Sequence, residues 1–160
     1  MTYSEKDLQM ELIAPIRWTY CNQVNLATVR KVLQEQADKN GIPVAFSTAQ
    51  LKVGDLFSRK REDILEIFPS QEKNNDLRIL ARLQQIGKYS VLRVYIGNSD
   101  TETAYALGLI EEVHIANPAQ AQLFFLKCEI RRKQLGTLRG WFETLPAIFE
   151  ALPANNPNNI

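Results

Sequence analysis

The clearest periodic pattern along the chain lies between residues 26 and 39. Apolar side chains recur there every three or four residues and share one helix face: Leu26, Val29, Leu33 and Ala37. Asn25 is placed to cap the N-terminus, and Asn40-Gly41 supplies a left-handed stop before Pro43. The pattern therefore predicts an amphipathic helix over 26–39.

The residues that precede this helix show a weaker helical signal. Ser4 followed by Asp7 is typical of an N-cap with an acidic third residue. The spacing predicts a short helix over 5–13 that ends before Pro15.

From residue 42 the apolar period changes to two, which is typical of strands. The pattern predicts strands over 44–48 and 64–68, a further one over 52–57, and an end at Pro69. The run Arg-Lys-Arg-Glu-Asp at 59–63 predicts a solvated, charged turn.

Residues 76–86 fit a helix and a strand almost equally well. We favour the strand, because Gly87-Lys88 can turn and residues 89–96 alternate clearly. Residues 103–115 also alternate and predict another strand, although residues 106–112 would suit a helix as well.

The last third of the chain returns to a helical pattern. Asn117-Pro118 is an N-cap followed by proline at the first helical position, and good helix formers continue to 134. Alternating apolar residues within 121–131 leave a strand open there. Gly136 is expected to break the run, and a last helix is expected over 138–152 with a kink or restart at Pro146.

Together these elements predict an α+β fold. An antiparallel β-meander of about four to five strands, roughly residues 42–115, packs with the helix at 26–39 and a helical segment at 118–152. Residues 1–152 are expected to form a single globular domain. The asparagine-rich residues 153–160 are expected to be a disordered tail.

The overall composition does not distinguish one function from another, whereas the distribution of charge along the chain is uneven. Of the 160 residues 45% are hydrophobic and 23% charged, and the formal net charge is +1, as in an ordinary globular domain. Yet residues 94–126 carry four acids and no lysine or arginine, and residues 127–139 carry five bases and one acid. The flat total thus hides an acidic block beside a basic block.

Several functional classes lack their sequence signals. A single histidine, His114, excludes metal sites built on two or three imidazoles, and the common nucleotide and hydrolase motifs do not occur. We expect no metal, no cofactor and no membrane partner, since no apolar run approaches the length of a membrane span. Cys21 and Cys128 are expected to be reduced thiols in a cytoplasmic protein, and whether they lie near each other stays open.

Three sets of residues are candidate sites. His114 with Glu112 is a candidate acid–base pair, against an inert, exposed histidine. The basic residues Arg131, Arg132, Lys133 and Arg139 are a candidate phosphate-binding surface, against cations that stabilise a helix C-terminus. Four aromatic residues are a candidate protein-interaction surface or, alternatively, core: Trp18, Tyr20, Trp141 and Phe142.

The sequence favours a non-enzymatic binding or protein-interaction module, with a protein partner or a homodimer as its target. The first alternative is a nucleic-acid-associated accessory protein that uses the basic C-terminal residues. The second is a small enzyme centred on His114. Absent catalytic motifs and balanced charge favour the interaction module.

Overall fold

The computed structural model describes the following residues: 2–8, 10–19, 24–54, 60–70, 77–97 and 101–151. The strands are β1 Thr2–Ser4, β2 Met10–Glu11, β3 Ile16–Thr19, β4 Val44–Val53, β5 Lys60–Pro69, β6 Ile79–Ile86 and β7 Tyr89–Ile96. The α-helices are α1 Leu26–Asn40, α2 Thr101–Ala106, α3 Pro118–Glu143 and α4 Pro146–Glu150, and Glu5–Asp7 form one 3-10 turn. The α+β class is therefore confirmed.

In the described parts of the chain, seven strands form one mixed sheet. Its order is β1-β4-β5-β6-β7-β2, and β3 pairs with β7 as well. Every pairing is antiparallel except β1 with β4. The meander predicted from residue 42 onward is thus β4 to β7, and the N-terminal residues add β1 beside β4 and both β2 and β3 beside β7.

Alternation along the strands gives the sheet two different faces. One face packs against α1, α3 and α4 through a large apolar cluster that extends from Leu12 to Phe149. The other face carries a smaller apolar cluster of Tyr3, Ala49, Leu51, Ile64 and Leu80. Neighbours such as Ile64 and Leu65 point to opposite faces, as the period of two requires.

Helix α1 agrees with its prediction and is one residue longer. The amide of Thr28 donates to Asn25 Oδ1 at 2.9 Å, which caps the first turn. Gly41 ends the helix with φ +65°, and the amide of Ile42 donates to the Ala37 carbonyl at 2.9 Å. The buried residues are the predicted face: Val29, Leu33 and Ala37.

The predicted helix over 5–13 is wrong. The Ser4 amide does donate to Asp7 Oδ2 at 2.8 Å, but the helical turn ends at Asp7. Met10 then pairs with Ile96, and Leu12 enters the large apolar cluster. Sheet pairing and burial therefore outweigh the local capping signal.

The charged turn predicted at 59–63 is also wrong over residues 60–63, which belong to β5. Strands β4 and β5 pair without interruption from Val44 opposite Pro69 to Val53 opposite Lys60. Asp63 accepts from Gln50 of β4, and Glu62 pairs with Arg82 of β6, so both carboxylates find partners on neighbouring strands. Residues 55–59, and with them part of the strand predicted over 52–57, lie outside the described residues.

Residues 79–86 form a strand, as favoured, and Gly87 turns into β7 with φ +60°. The strand predicted over 103–115 is wrong, because its first residues belong to α2. Thr103 is buried against α3, and the later alternating residues Val113 and Ile115 are only half-buried. Without a sheet edge to pair with, alternation alone does not make a strand.

Helix α3 is longer than predicted and settles residues 121–131 as helix. The Asn117 side chain accepts from the amide of Ala119 at 2.9 Å, and Pro118 opens the helix. The helix runs through Gly136, because Leu135 and Leu138 on either side are held in the large cluster. Pro146 restarts the chain as α4, and the predicted tail 153–160 lies outside the described residues.

Candidate functional site

Helix α3 is held to the molecule by a row of residues spaced alternately by four and three. We call this row the inner seam: Phe124, Cys128, Arg131, Leu135, Leu138 and Phe142. All of them are buried. The last three belong to the large apolar cluster, so the C-terminal half of α3 covers the sheet.

A second row with the same spacing lies about 140° away around the helix. We call it the outer seam: Ala119, Leu123, Leu126, Ile130, Lys133, Thr137 and Gly140. All of these residues are exposed. Its first four members are apolar, and the exposed fractions of Leu123, Leu126 and Ile130 are 52%, 57% and 39%. Alternating spacings of three and four are those by which one helix packs along another.

The outer seam stands out against the rest of the described surface. Seven large apolar residues are exposed in the described ranges, and four of them lie within three turns of α3. The fourth is Phe125, and the remaining three are Ile86, Tyr89 and Leu109. Single exposed apolar residues need no explanation, whereas a contiguous row marks a contact surface.

Helix α2 fixes the N-terminal half of α3 in place. The ring of Tyr105 makes edge contacts with Phe124 and Phe125, with centroids 5.8 and 5.6 Å apart. Arg131 Nε donates to Thr103 Oγ1 at 3.1 Å, and Arg131 Nη1 donates to Gln134 Oε1 at 3.2 Å. The outer seam is therefore presented on a braced helix, which lowers the entropy cost of binding.

A shallow apolar cleft adjoins the polar end of the outer seam. Its volume is about 240 Å³, and it lies between α3 and the strand ends of β4 and β5. Ile42, Pro43, Val44, Pro69 and Leu138 supply apolar walls, and Lys133 of the outer seam also lines it. Gln134 and Thr137 complete the lining beside Lys133, so the side of the cleft nearest the outer seam is polar.

The sheet face away from the helices carries a buried polar cluster centred on Glu66. The hydroxyl of Tyr3 donates to Glu66 Oε2, and Ser47 Oγ donates to Glu66 Oε1 at 2.8 Å. Arg78 lies 4.0 Å from the same carboxylate and over the ring of Phe68. Burial, followed by the bond to Glu66, raises the pKa of the Tyr3 hydroxyl above its ordinary value. The cluster ties edge strand β1 to the sheet.

The candidate acid–base pair lies on the open surface. His114 Nε2 is 3.7 Å from Glu112 Oε2, and the two side chains are 93% and 83% exposed. The surrounding solvent provides neither a fixed geometry nor the exclusion of water that acid–base catalysis uses. The catalytic role of the pair stays a prediction.

The four basic candidates are not brought to one surface. Arg131 is buried in the inner seam, whereas Lys133 is exposed on the outer seam. Arg132 is exposed and pairs with Glu129 at 2.8 Å, and Arg139 Nε reaches the Leu12 carbonyl at 3.4 Å. A phosphate-binding stripe would need several of these charges side by side.

Three of the four aromatic candidates are core residues. Trp18, Trp141 and Phe142 are 2%, 5% and 1% exposed and belong to the large apolar cluster. They fit the core interpretation given for aromatic residues, and Tyr20 lies outside the described residues.

Metal-ligating clusters and membrane-spanning helices are the next features of the described part of the chain. No group of three or more His, Cys, Asp or Glu side chains converges there to hold a metal ion. Among the described helices none has the length and apolar character needed to cross a membrane. Cys128 is buried in the inner seam, and Cys21 is not among the described residues.

Sequence reasoning missed the outer seam. It asked whether residues 121–131 form a strand or a helix, and it did not consider that one helix could carry two separate apolar rows. The signal was present in the spacing of Leu123, Leu126 and Ile130. The sequence does not show which of the two apolar rows is covered by the rest of the chain.

Comparison with known proteins identifies no relative of this chain: no family model, no curated protein and no solved structure matches it. The candidate site therefore rests on the geometry of α3.

Proposed function

We propose that this protein is a non-enzymatic protein-interaction module and that the outer seam of α3 is its contact surface. The observation that carries the proposal is the exposure of Leu123, Leu126 and Ile130 in a row on one braced helix. Burying such a row against a partner helix yields about 25 cal/mol for each Å² of apolar surface removed from water. We take the cytoplasm as the expected compartment, as the sequence suggested.

The alternatives have less support from the geometry. The side chains of His114 and Glu112 lie in open solvent, and of the basic candidates Arg131 is buried and Arg132 is paired with Glu129. An interaction surface needs only what α3 offers, an apolar row with polar residues beside it. Lys127 and Glu129 flank the row in this way.

Photo-crosslinking in living cells tests the proposal. A benzophenone amino acid replaces Leu126 in one variant and Gly136 in a control, because Gly136 is exposed on α3 but lies between the two seams. We expect protein adducts from position 126 and few or none from position 136. Equal yields at both positions, or no adduct at 126, would overturn the proposal.

A further inference from the structure

We propose that the cleft between α3 and the strand ends binds a small carboxylic acid with an aliphatic chain, such as a medium-chain fatty acid. The aliphatic chain lies between the apolar walls, and the carboxylate pairs with the ammonium group of Lys133. This site is separate from the apolar part of the outer seam, so it does not depend on a protein partner at that surface.

The apolar walls of the cleft are fixed by the backbone before any ligand arrives. Val44 faces Pro69 at the end of the pairing between β4 and β5. Just beyond this pair, the Ser70 amide donates to the Pro43 carbonyl at 3.0 Å. The Val44 amide in turn donates to the Ile42 carbonyl at 2.9 Å, and the two prolines have a restricted φ. Preformed walls lose little conformational entropy when a ligand binds.

The same walls still expose apolar surface that an aliphatic chain can cover. Ile42, Val44 and Pro69 are half-buried and Pro43 is exposed, whereas Leu138 belongs to the large apolar cluster. The cleft volume of about 240 Å³ lies below the roughly 300–1,000 Å³ of pockets that enclose drug-sized ligands. The cleft therefore suits a ligand smaller than such compounds.

The polar side of the cleft carries one positive charge. Among the described residues that line the cleft, Lys133 is the one charged side chain, and Gln134 and Thr137 lie beside it. No carboxylate of the described residues lies within ion-pair distance of Lys133, whereas the neighbouring Arg132 pairs with Glu129. A lone ammonium group beside an apolar wall is complementary to an amphipathic ligand with a single negative charge. A neutral or cationic head group would leave that charge without a partner.

Amide NMR titrations with three probes of equal chain length test the class of ligand: octanoate, octan-1-ol and protonated octylamine. We expect octanoate to shift the amide signals of Ile42, Val44 and Thr137 with a dissociation constant of about 1 mM. The alcohol and the amine should bind at least about threefold more weakly. Equal affinities for the three probes would overturn the choice of a carboxylate, and octanoate shifts that are absent from these residues would overturn the site.

Charge reversal and filling of the cleft provide matched variants. Lys133→Glu should weaken octanoate binding about tenfold and strengthen octylamine binding, whereas Lys127→Glu makes the same charge change on α3 outside the cleft and should alter neither by more than about twofold. Thr137→Phe fills the cleft and should abolish octanoate binding. All three positions are exposed, so the variants should keep the fold, which circular dichroism checks.

Equal losses of octanoate binding in the two glutamate variants, or binding that survives Thr137→Phe, would overturn the cleft as the site. These outcomes are independent of the interaction function, because photo-crosslinks from position 126 report on the outer seam and not on the cleft.

Discussion

The two tryptophans of the core differ in what their indole N–H groups meet. Trp18 Nε1 donates to the Phe149 carbonyl at 2.6 Å, and its ring packs edge-on against Phe149. Trp141 is equally buried, but its Nε1 has no acceptor among the described residues. An unpaired buried donor costs stability, so the two residues should respond differently to the loss of that N–H group.

We expect Trp18→Phe to lower the free energy of unfolding more than Trp141→Phe does. Both changes remove similar volume, but only the first removes a hydrogen bond, that from Trp18 Nε1 to the Phe149 carbonyl, which keeps the Ala151 amide as its other donor. The difference between the two variants should be about 1 kcal/mol. Urea denaturation measures it, and a larger loss for Trp141→Phe would contradict the assignment of the two N–H groups.

The Tyr3 hydroxyl makes the free energy of unfolding depend on pH in the alkaline range. Since burial and Glu66 raise the pKa of its hydroxyl, the folded protein holds the proton more tightly than the unfolded chain, whose tyrosine pKa is about 10. The stability that this proton supplies is complete below about pH 10 and is lost as the pH rises beyond it.

Replacing Tyr3 by Phe removes both the hydrogen bond and this pH dependence. At pH 7 the variant should be less stable by about 1–2 kcal/mol, because Glu66 loses a donor. Guanidinium denaturation between pH 8 and roughly pH 11 should show the gap between the two proteins shrinking above about pH 10. A gap that stays constant would show that the hydroxyl is not held as described.

At the scale of elements, the apolar period correctly predicted those helices and strands that bury the face on which their apolar residues recur. Helix α1 and the strands β5 to β7 agree because one face of each is buried in the cluster that their apolar period indicates. The segments at 5–13 and 103–115 failed, since their outcome depends on distant partners: β7 recruits Met10, and α3 holds Thr103. Such contacts are not encoded in local spacing.

Two glycines, one inside α3 and one directly after α1, should respond to alanine substitution with stability changes of opposite sign. Gly136 lies inside α3 with open space where a Cβ would be, so Gly136→Ala should stabilise the protein by about 0.5–1 kcal/mol. Gly41 has φ +65° at the end of α1, so Gly41→Ala should destabilise it by about 1 kcal/mol. Thermal unfolding of both variants checks these signs, and a destabilising Gly136→Ala would mean that α3 breaks at that position.

At the scale of the whole molecule, the near-zero net charge hides a polarity along α3. The acidic residues precede this helix, and the basic ones occupy its middle and C-terminal parts. The sequence alone revealed the two blocks but not their arrangement, because only the fold shows that Arg131 is inside and Lys133 outside. The sequence therefore showed the charge and the apolar spacing of the candidate surface, but it did not show which of its residues are exposed.

The most direct test of the account is oxidative footprinting of α3 side chains in living cells and in dilute purified protein. Leu126 and Phe125 are neighbours with similar exposure, 57% and 45%, but only Leu126 lies on the outer seam. We predict that Leu126 is oxidised much less in the cell than in dilute solution, relative to Phe125. Equal oxidation ratios in the two conditions would contradict the claim that the outer seam is a binding surface.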